Sequence, residues 1–167
     1  MRDKGRQRNS TEPKGELASR TLAMPADSNP KGDIFGGWIM SLMDSAGKMS
    51  ATPHAGGRVV TVAVSNITFL QPVHVGDTVC CYTDVKRLGR TSITLDVEVW
   101  VLRQGQGARI KVTDAEFTFV AVHEDGSPRE LTRPGPELQP RPARERRRPS
   151  REPKADLSTM PVGRTLP

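Results

Sequence analysis

One long helical pattern followed by nothing but strands limits this 167-residue chain to few folds. The apolar run 38–49 follows a stretch of turn residues, Asn29-Pro30-Lys31-Gly32-Asp33-Ile34-Phe35-Gly36-Gly37. It predicts a helix over about 35–50, closed by Pro53 and Gly56-Gly57. After it, 59–64, 66–69, 78–86, 92–101 and 109–122 all read as strands, with a bulge expected near Asn66. The clearest is 92–101, where Ile93, Leu95, Val97, Val99 and Val101 alternate with Ser92, Thr94, Asp96, Glu98 and Trp100. Such alternation marks a half-buried antiparallel strand. Short turns such as Leu88-Gly89-Arg90 join the strands, so the sheet is expected to be mainly antiparallel. A further strand over 16–24 precedes the helix. One helix on one face of a curved sheet gives an α+β fold of two layers. Trp100 lies on the sheet's other face, where a cover or a second chain is expected.

On a helical wheel Phe35, Trp38, Ile39, Leu42, Ala46 and Met49 share one face, the expected core stripe. Asp44 falls opposite, among Gly37, Met40, Gly47 and Lys48. Small residues around one acid suit the close approach of a ligand or partner chain. Gly36 and Gly37 stand where the helix begins, so the first N–H groups are accessible to a developing negative charge.

The net charge of +6 is unevenly spread: residues 1–20 carry +3, residues 21–131 carry −2 and residues 132–167 carry +5. A domain without its own basic face is a poor fit to nucleic acid. Residues 1–15 and 132–167 are expected to be disordered, the latter with eight of the fourteen prolines and no aromatic residue. The folded domain is expected over 16–131. No apolar run is long enough to span a membrane and no secretory pattern opens the chain, so a cytoplasmic location is expected. Cys80 and Cys81 are adjacent, cannot bridge without distortion, and fit a reducing compartment. His54, His74 and His123 are scattered without metal-ligand spacing. No cofactor or metal is expected. No Gly-x-Ser-x-Gly elbow is present, and Ala46-Gly47-Lys48 lacks the first glycine and the loop context of a phosphate-binding loop.

The stretch Leu22-Ala23-Met24-Pro25-Ala26-Asp27-Ser28-Asn29 through Ile34-Phe35-Gly36-Gly37-Trp38 resembles the hotdog-fold acyl-CoA thioesterases. The likeness continues through Met43-Asp44, Gly57-Arg58-Val59-Val60-Thr61, Phe69-Leu70-Gln71-Pro72, Gly89-Arg90-Thr91-Ser92 and Glu98-Val99-Trp100-Val101. It covers roughly residues 17–131. The resemblance implies a hotdog fold, the helix wrapped by the sheet. It implies hydrolysis of acyl-CoA to a carboxylic acid and free CoA. It implies an active site between protomers of a homodimer, which can assemble further as a trimer of dimers. It also implies catalytic roles for Asn29 and Asp44, supplied by different chains. Asp44 would activate a water or attack directly. N–H groups at Gly36, Gly37 and Trp38 would polarise the thioester carbonyl. Arg58, Arg90, Thr91 and Ser92 are expected to grip the CoA phosphates, arginine offering bidentate donors and the flanking glycines leaving room for the anion. Met40 and Met43 are candidates either to line the acyl chain or to pack the interface between protomers. Two alternatives remain: a non-catalytic acyl-CoA binder, and a hotdog enoyl-CoA hydratase. The latter would place His where this chain has Gly32.

Overall fold

A computed structural model describes residues 12–104 and 107–132. The expectations for residues 1–11 and for the tail beyond Thr132 lie outside the described residues. Five strands and one long helix make up the fold: β1 (Glu16–Leu22), α1 (Gly36–Ala55), β2 (Val59–Phe69), β3 (Thr78–Leu88), β4 (Ser92–Leu102) and β5 (Arg109–Ala121). A single 3-10 turn, Pro25–Asp27, stands between β1 and the Asn29 segment. The sheet order is β1-β3-β4-β5-β2, and every pair is antiparallel. The two edges are therefore β1 and β2. The helix lies against one face of the sheet and contacts all five strands.

The strand alternation builds the core directly. Ile93, Leu95, Val97, Val99 and Val101 of β4 are all fully buried, and Phe117 and Phe119 of β5 stack beside them with ring centroids 6.1 Å apart. The bulge expected near Asn66 is present. Asn66 takes a left-handed φ of 58°, and the β2–β5 register slips between Ser65 and Thr68. An asparagine side chain tolerates that conformation better than most residues.

The helix differs from its wheel in three respects. Its buried positions are Ile39, Met43, Ala46, Gly47, Ala51 and Ala55, whereas Phe35 and Met49 are exposed. The apolar stripe is wider than the core it meets, so the wheel's centre was displaced by about a quarter turn. Gly47 accordingly belongs to the core and not to the ligand side. A Cβ there would lie 2.6 Å from the ring of Phe119. The helix also runs past Pro53 to Ala55, and Gly56 ends it in the left-handed conformation with its N–H on Thr52 O. Proline forfeits one backbone bond, to the Met49 carbonyl, in a stretch where Met49 faces outward.

Trp100 is 3% exposed within a single protomer, so the expected cover comes from the chain itself. It packs with Cys80, Tyr82 and Leu102, and its Nε1–H donates to Glu98 Oε2 at 2.9 Å. The backbone N–H of Lys14 reaches the same carboxylate oxygen.

Candidate active site

The Asn29 segment is built by its own turn. Asn29 Oδ1 accepts from the N–H groups of Lys31 (2.9 Å) and Asp33 (3.1 Å), and Asn29 N–H donates to Asp33 O at 2.8 Å. Gly32, at φ 86°, makes the reversal that other residues would resist. The turn spends the oxygen of the Asn29 amide. Among the described residues its Nδ2–H2 group has no acceptor, and so Asn29 offers a donor. Phe35 N–H donates to Asp27 O, which ties the turn to the start of α1.

At that start, the N–H of Trp38 donates to Phe35 O at 3.1 Å. The N–H groups of Gly36 and Gly37 precede the helix ladder and have no acceptor among the described residues. Gly37 has open space where a Cβ would project, so no packing within this chain demands glycine there. Gly36 borders the ring of Phe69. A pocket of about 320 Å³ opens beside it, lined by residues that include Ile34, Ile39, Phe69, Pro72 and Val112. Met43 is fully buried in the core and is not among the residues lining this pocket.

Asp44 sits further along the same helix, half-buried rather than opposite the core. Its Oδ2 accepts from Lys48 Nζ at 2.7 Å, one turn on, and its Oδ1 accepts from Thr61 Oγ1 on β2. Burial pushes the Asp44 carboxyl up. The hydrogen bonds from Lys48 and Thr61, with the Lys48 charge, outweigh burial and hold it below the usual carboxylate value. Asp44 is therefore ionised at neutral pH. Thr61 is not legible in the sequence as a partner of Asp44, although it stands in a motif that carries the resemblance. A β-branched residue 17 positions away in a strand carries no local signal that it will face a helical carboxylate. Lys48 did carry a signal, since it lies four residues after the acid.

Within one chain these groups do not converge. Gly36 and Asp44 are eight residues apart on α1, about 12 Å along its axis. A reacting carbonyl needs its partners within about 3–3.5 Å.

Arg58, Arg90, Thr91 and Ser92 gather at one end of the molecule. Val122 N–H donates to Arg58 O, Ala121 N–H to Thr91 O, and Leu131 N–H to Arg90 O. The space beside their glycines is already filled. Arg129 Nη2 lies 3.0 Å from where a Gly57 Cβ would stand and donates to Ala55 O, closing the helix end. Ser92 Oγ occupies the corresponding place at Gly89. Arg90 itself is 82% exposed, with Glu130 3.4 Å away. Cys80 and Cys81 are free and buried, and burial pushes the Cys81 thiol up, so it is a poor nucleophile.

The thioesterase superfamily model matches residues 31–108, from the Asn29 turn to the residue before β5. The acyl-CoA thioester hydrolase YciA of Salmonella typhimurium is 56% identical over 122 residues, 71% of this chain and 92% of that protein. This chain belongs to the thioesterase superfamily. Its counterpart from Escherichia coli K12, with the same coverage, is 53% identical. Among solved structures, the hexameric thioesterase y2039 from Yersinia pestis superposes with a TM-score of 0.69 at 55% identity, covering 72% of this chain and 98% of that one. An acyl-CoA hydrolase from Staphylococcus aureus, solved with butyryl coenzyme A, coenzyme A and coenzyme A disulfide, is more distant. It is 26% identical with a TM-score of 0.63, over 68% of this chain and 69% of that one. The hotdog arrangement expected from the sequence is the arrangement of this family.

Proposed function

We propose that the chain hydrolyses acyl-CoA with Asp44 as the base, in a site completed by the Asn29 turn and helix start of a second copy. The observation that carries this reading is Asp44 itself, a half-buried carboxylate kept ionised by Thr61 and Lys48. An ionised acid at that depth is suited to take a proton from water. As the water oxygen attacks the thioester carbon, its proton passes to Asp44. The carbonyl oxygen gains charge, which the open N–H groups of Gly36 and Gly37 can stabilise, with the Asn29 amide as a further donor. Collapse of the tetrahedral intermediate breaks the C–S bond and releases CoA thiolate and the carboxylic acid. Direct attack by Asp44, through an anhydride, uses the same groups.

The remaining parts of the substrate have places in this reading. The acyl chain enters the apolar pocket that begins at Gly36, between the helix start and the 69–73 segment. The nucleotide end lies towards Arg58 and Arg90. Three residues of extended strand separate Thr61 from Arg58, roughly 10 Å, a span that the flexible pantetheine arm covers. YciA relatives named as acyl-CoA thioester hydrolases, and neighbours described as hexameric, support a homodimer that assembles as a trimer of dimers.

The test is hydrolysis of a panel of straight-chain acyl-CoA thioesters, read as thiol release. Wild-type protein should turn over members of the panel, and Asp44→Asn should lower turnover by at least about 100-fold, the usual range for a lost general base. Turnover near wild type in that variant would remove Asp44 from the chemistry.

A further inference from the structure

We propose that Lys48 is a positioning residue that sets the lower pH limit of hydrolysis by holding one edge of the Asp44 carboxylate. This rests on Asp44 being the base. The two oxygens of Asp44 have separate holders: Oδ1 takes the hydroxyl of Thr61 from β2, and Oδ2 takes the ammonium of Lys48 from the next turn of α1, at 2.7 Å. Thr61 is neutral and cannot titrate in the working range. Lys48 is the one charged side chain bonded to Asp44 from any element among the described residues. The acid precedes the base by four residues, the favourable order on a helix.

Two consequences follow from this geometry. The carboxylate is fixed in rotation, so its free lone pairs point in a constant direction as a water approaches. Its charge is also stabilised against the cost of burial, which would otherwise favour the protonated, inactive acid. The sign is definite. A cation beside Asp44 lowers the pH at which it picks up a proton, so hydrolysis persists further into acid. Removing the cation leaves burial opposed by Thr61 alone, and the activity must fail at a higher pH. The pair is nearly half exposed on the lysine side, so salt should weaken it.

The experiment compares pH profiles of kcat/KM for wild type, Lys48→Met, Lys48→Arg and Asp44→Asn on one acyl-CoA, within the pH range where circular dichroism shows each folded. In Lys48→Met the midpoint of the acid limb should rise by about half a unit or more, the size expected for a partly exposed pair. Lys48→Arg should restore it. Salt near 1 M should move the wild-type midpoint towards that of Lys48→Met and leave the variant nearly still. Lys48→Gln replaces Lys48→Met if the latter does not fold. An unchanged midpoint, or a uniform loss of rate at all pH values, would assign Lys48 to the helix surface and overturn the proposal. Asp44→Asn separates the two ideas. If it retains turnover, Asp44 is not the base and this inference falls with it. If it is inactive while the Lys48→Met midpoint stays put, only the role of Lys48 is wrong.

Discussion

Asp44 stands out in the sequence as one acid among small neighbours on a helix, and Asn29 is singled out by the family resemblance carried by its turn. What each side chain does with its atoms was not legible, because it depends on contacts the pattern does not contain. The Asn29 oxygen is spent on Lys31 and Asp33, which leaves the amide hydrogens as what the side chain can offer a ligand. The arginines differ again. Glycine beside Arg58 and Arg90 suggested room for an anion, yet that room holds Arg129 and Ser92. The phosphate proposal for Arg90 therefore rests on its exposure and its solvent-exposed ion pair with Glu130, not on an empty niche. A surface pair of this kind contributes little, so exchanging Glu130 for a phosphate should cost little. Arg90→Ala should then raise the Michaelis constant for acyl-CoA several-fold and leave turnover nearly unchanged, since the carrier contact is the same in ground and transition states. An acyl-pantetheine thioester, which lacks the nucleotide, should be hydrolysed as by wild type. Steady-state kinetics on both substrates check this, and equal damage to both would exclude a phosphate contact.

At the scale of elements, the strands were read more reliably than the helix face. A strand alternates with a period of two, so an error of one residue exchanges core for solvent and the pattern declares itself. The apolar residues of α1 cover more of its circumference than the sheet can bury. Phe35, Leu42 and Met49 widen the stripe on one side, and no feature of the sequence says which part meets β4 and β5. Gly47 shows the consequence. On the wheel it is a gap beside Asp44, but in the fold it packs against the ring of Phe119. The Phe119 ring is fully buried and stacks on Phe117, so it has little freedom to retreat. Gly47→Ala gains helix propensity of up to about 1 kcal/mol. The overlap with the ring costs about 1–3 kcal/mol in a packed core. The balance should be a net loss, visible as a lower melting temperature in differential scanning calorimetry. A variant more stable than wild type would mean that the helix and Phe119 can separate without penalty.

The whole molecule, taken as one chain, leaves two needs unmet. The β2 edge carries unpaired backbone along 11 residues, with Val62 55% and Val64 39% exposed. A long apolar edge is a liability unless another strand covers it. The helix-start N–H groups and Asp44, the groups proposed for catalysis, also stand about 12 Å apart along α1, beyond reach of one carbonyl. A two-fold axis at the β2 edge answers both. In the proposed dimer it would pair β2 with its copy and set Asp44 of one chain against the Asn29 turn of the other, giving two equivalent sites per dimer. Mixing two inactive variants tests that arrangement. Asn29→Asp suits one arm because it keeps the oxygen that holds Lys31 and Asp33 and loses only the amide donor. Asp44→Asn serves the other. After subunit exchange, a mixed dimer contains one site with both losses and one with neither. Random pairing makes about half of the dimers mixed, so activity should recover to about a quarter of wild type from two nearly inactive stocks. Exchange is followed independently by native mass spectrometry. If mixed dimers form and activity stays at the level of the parents, Asn29 and Asp44 act from the same chain, and the helix start must then be brought to Asp44 by a movement this fold does not show.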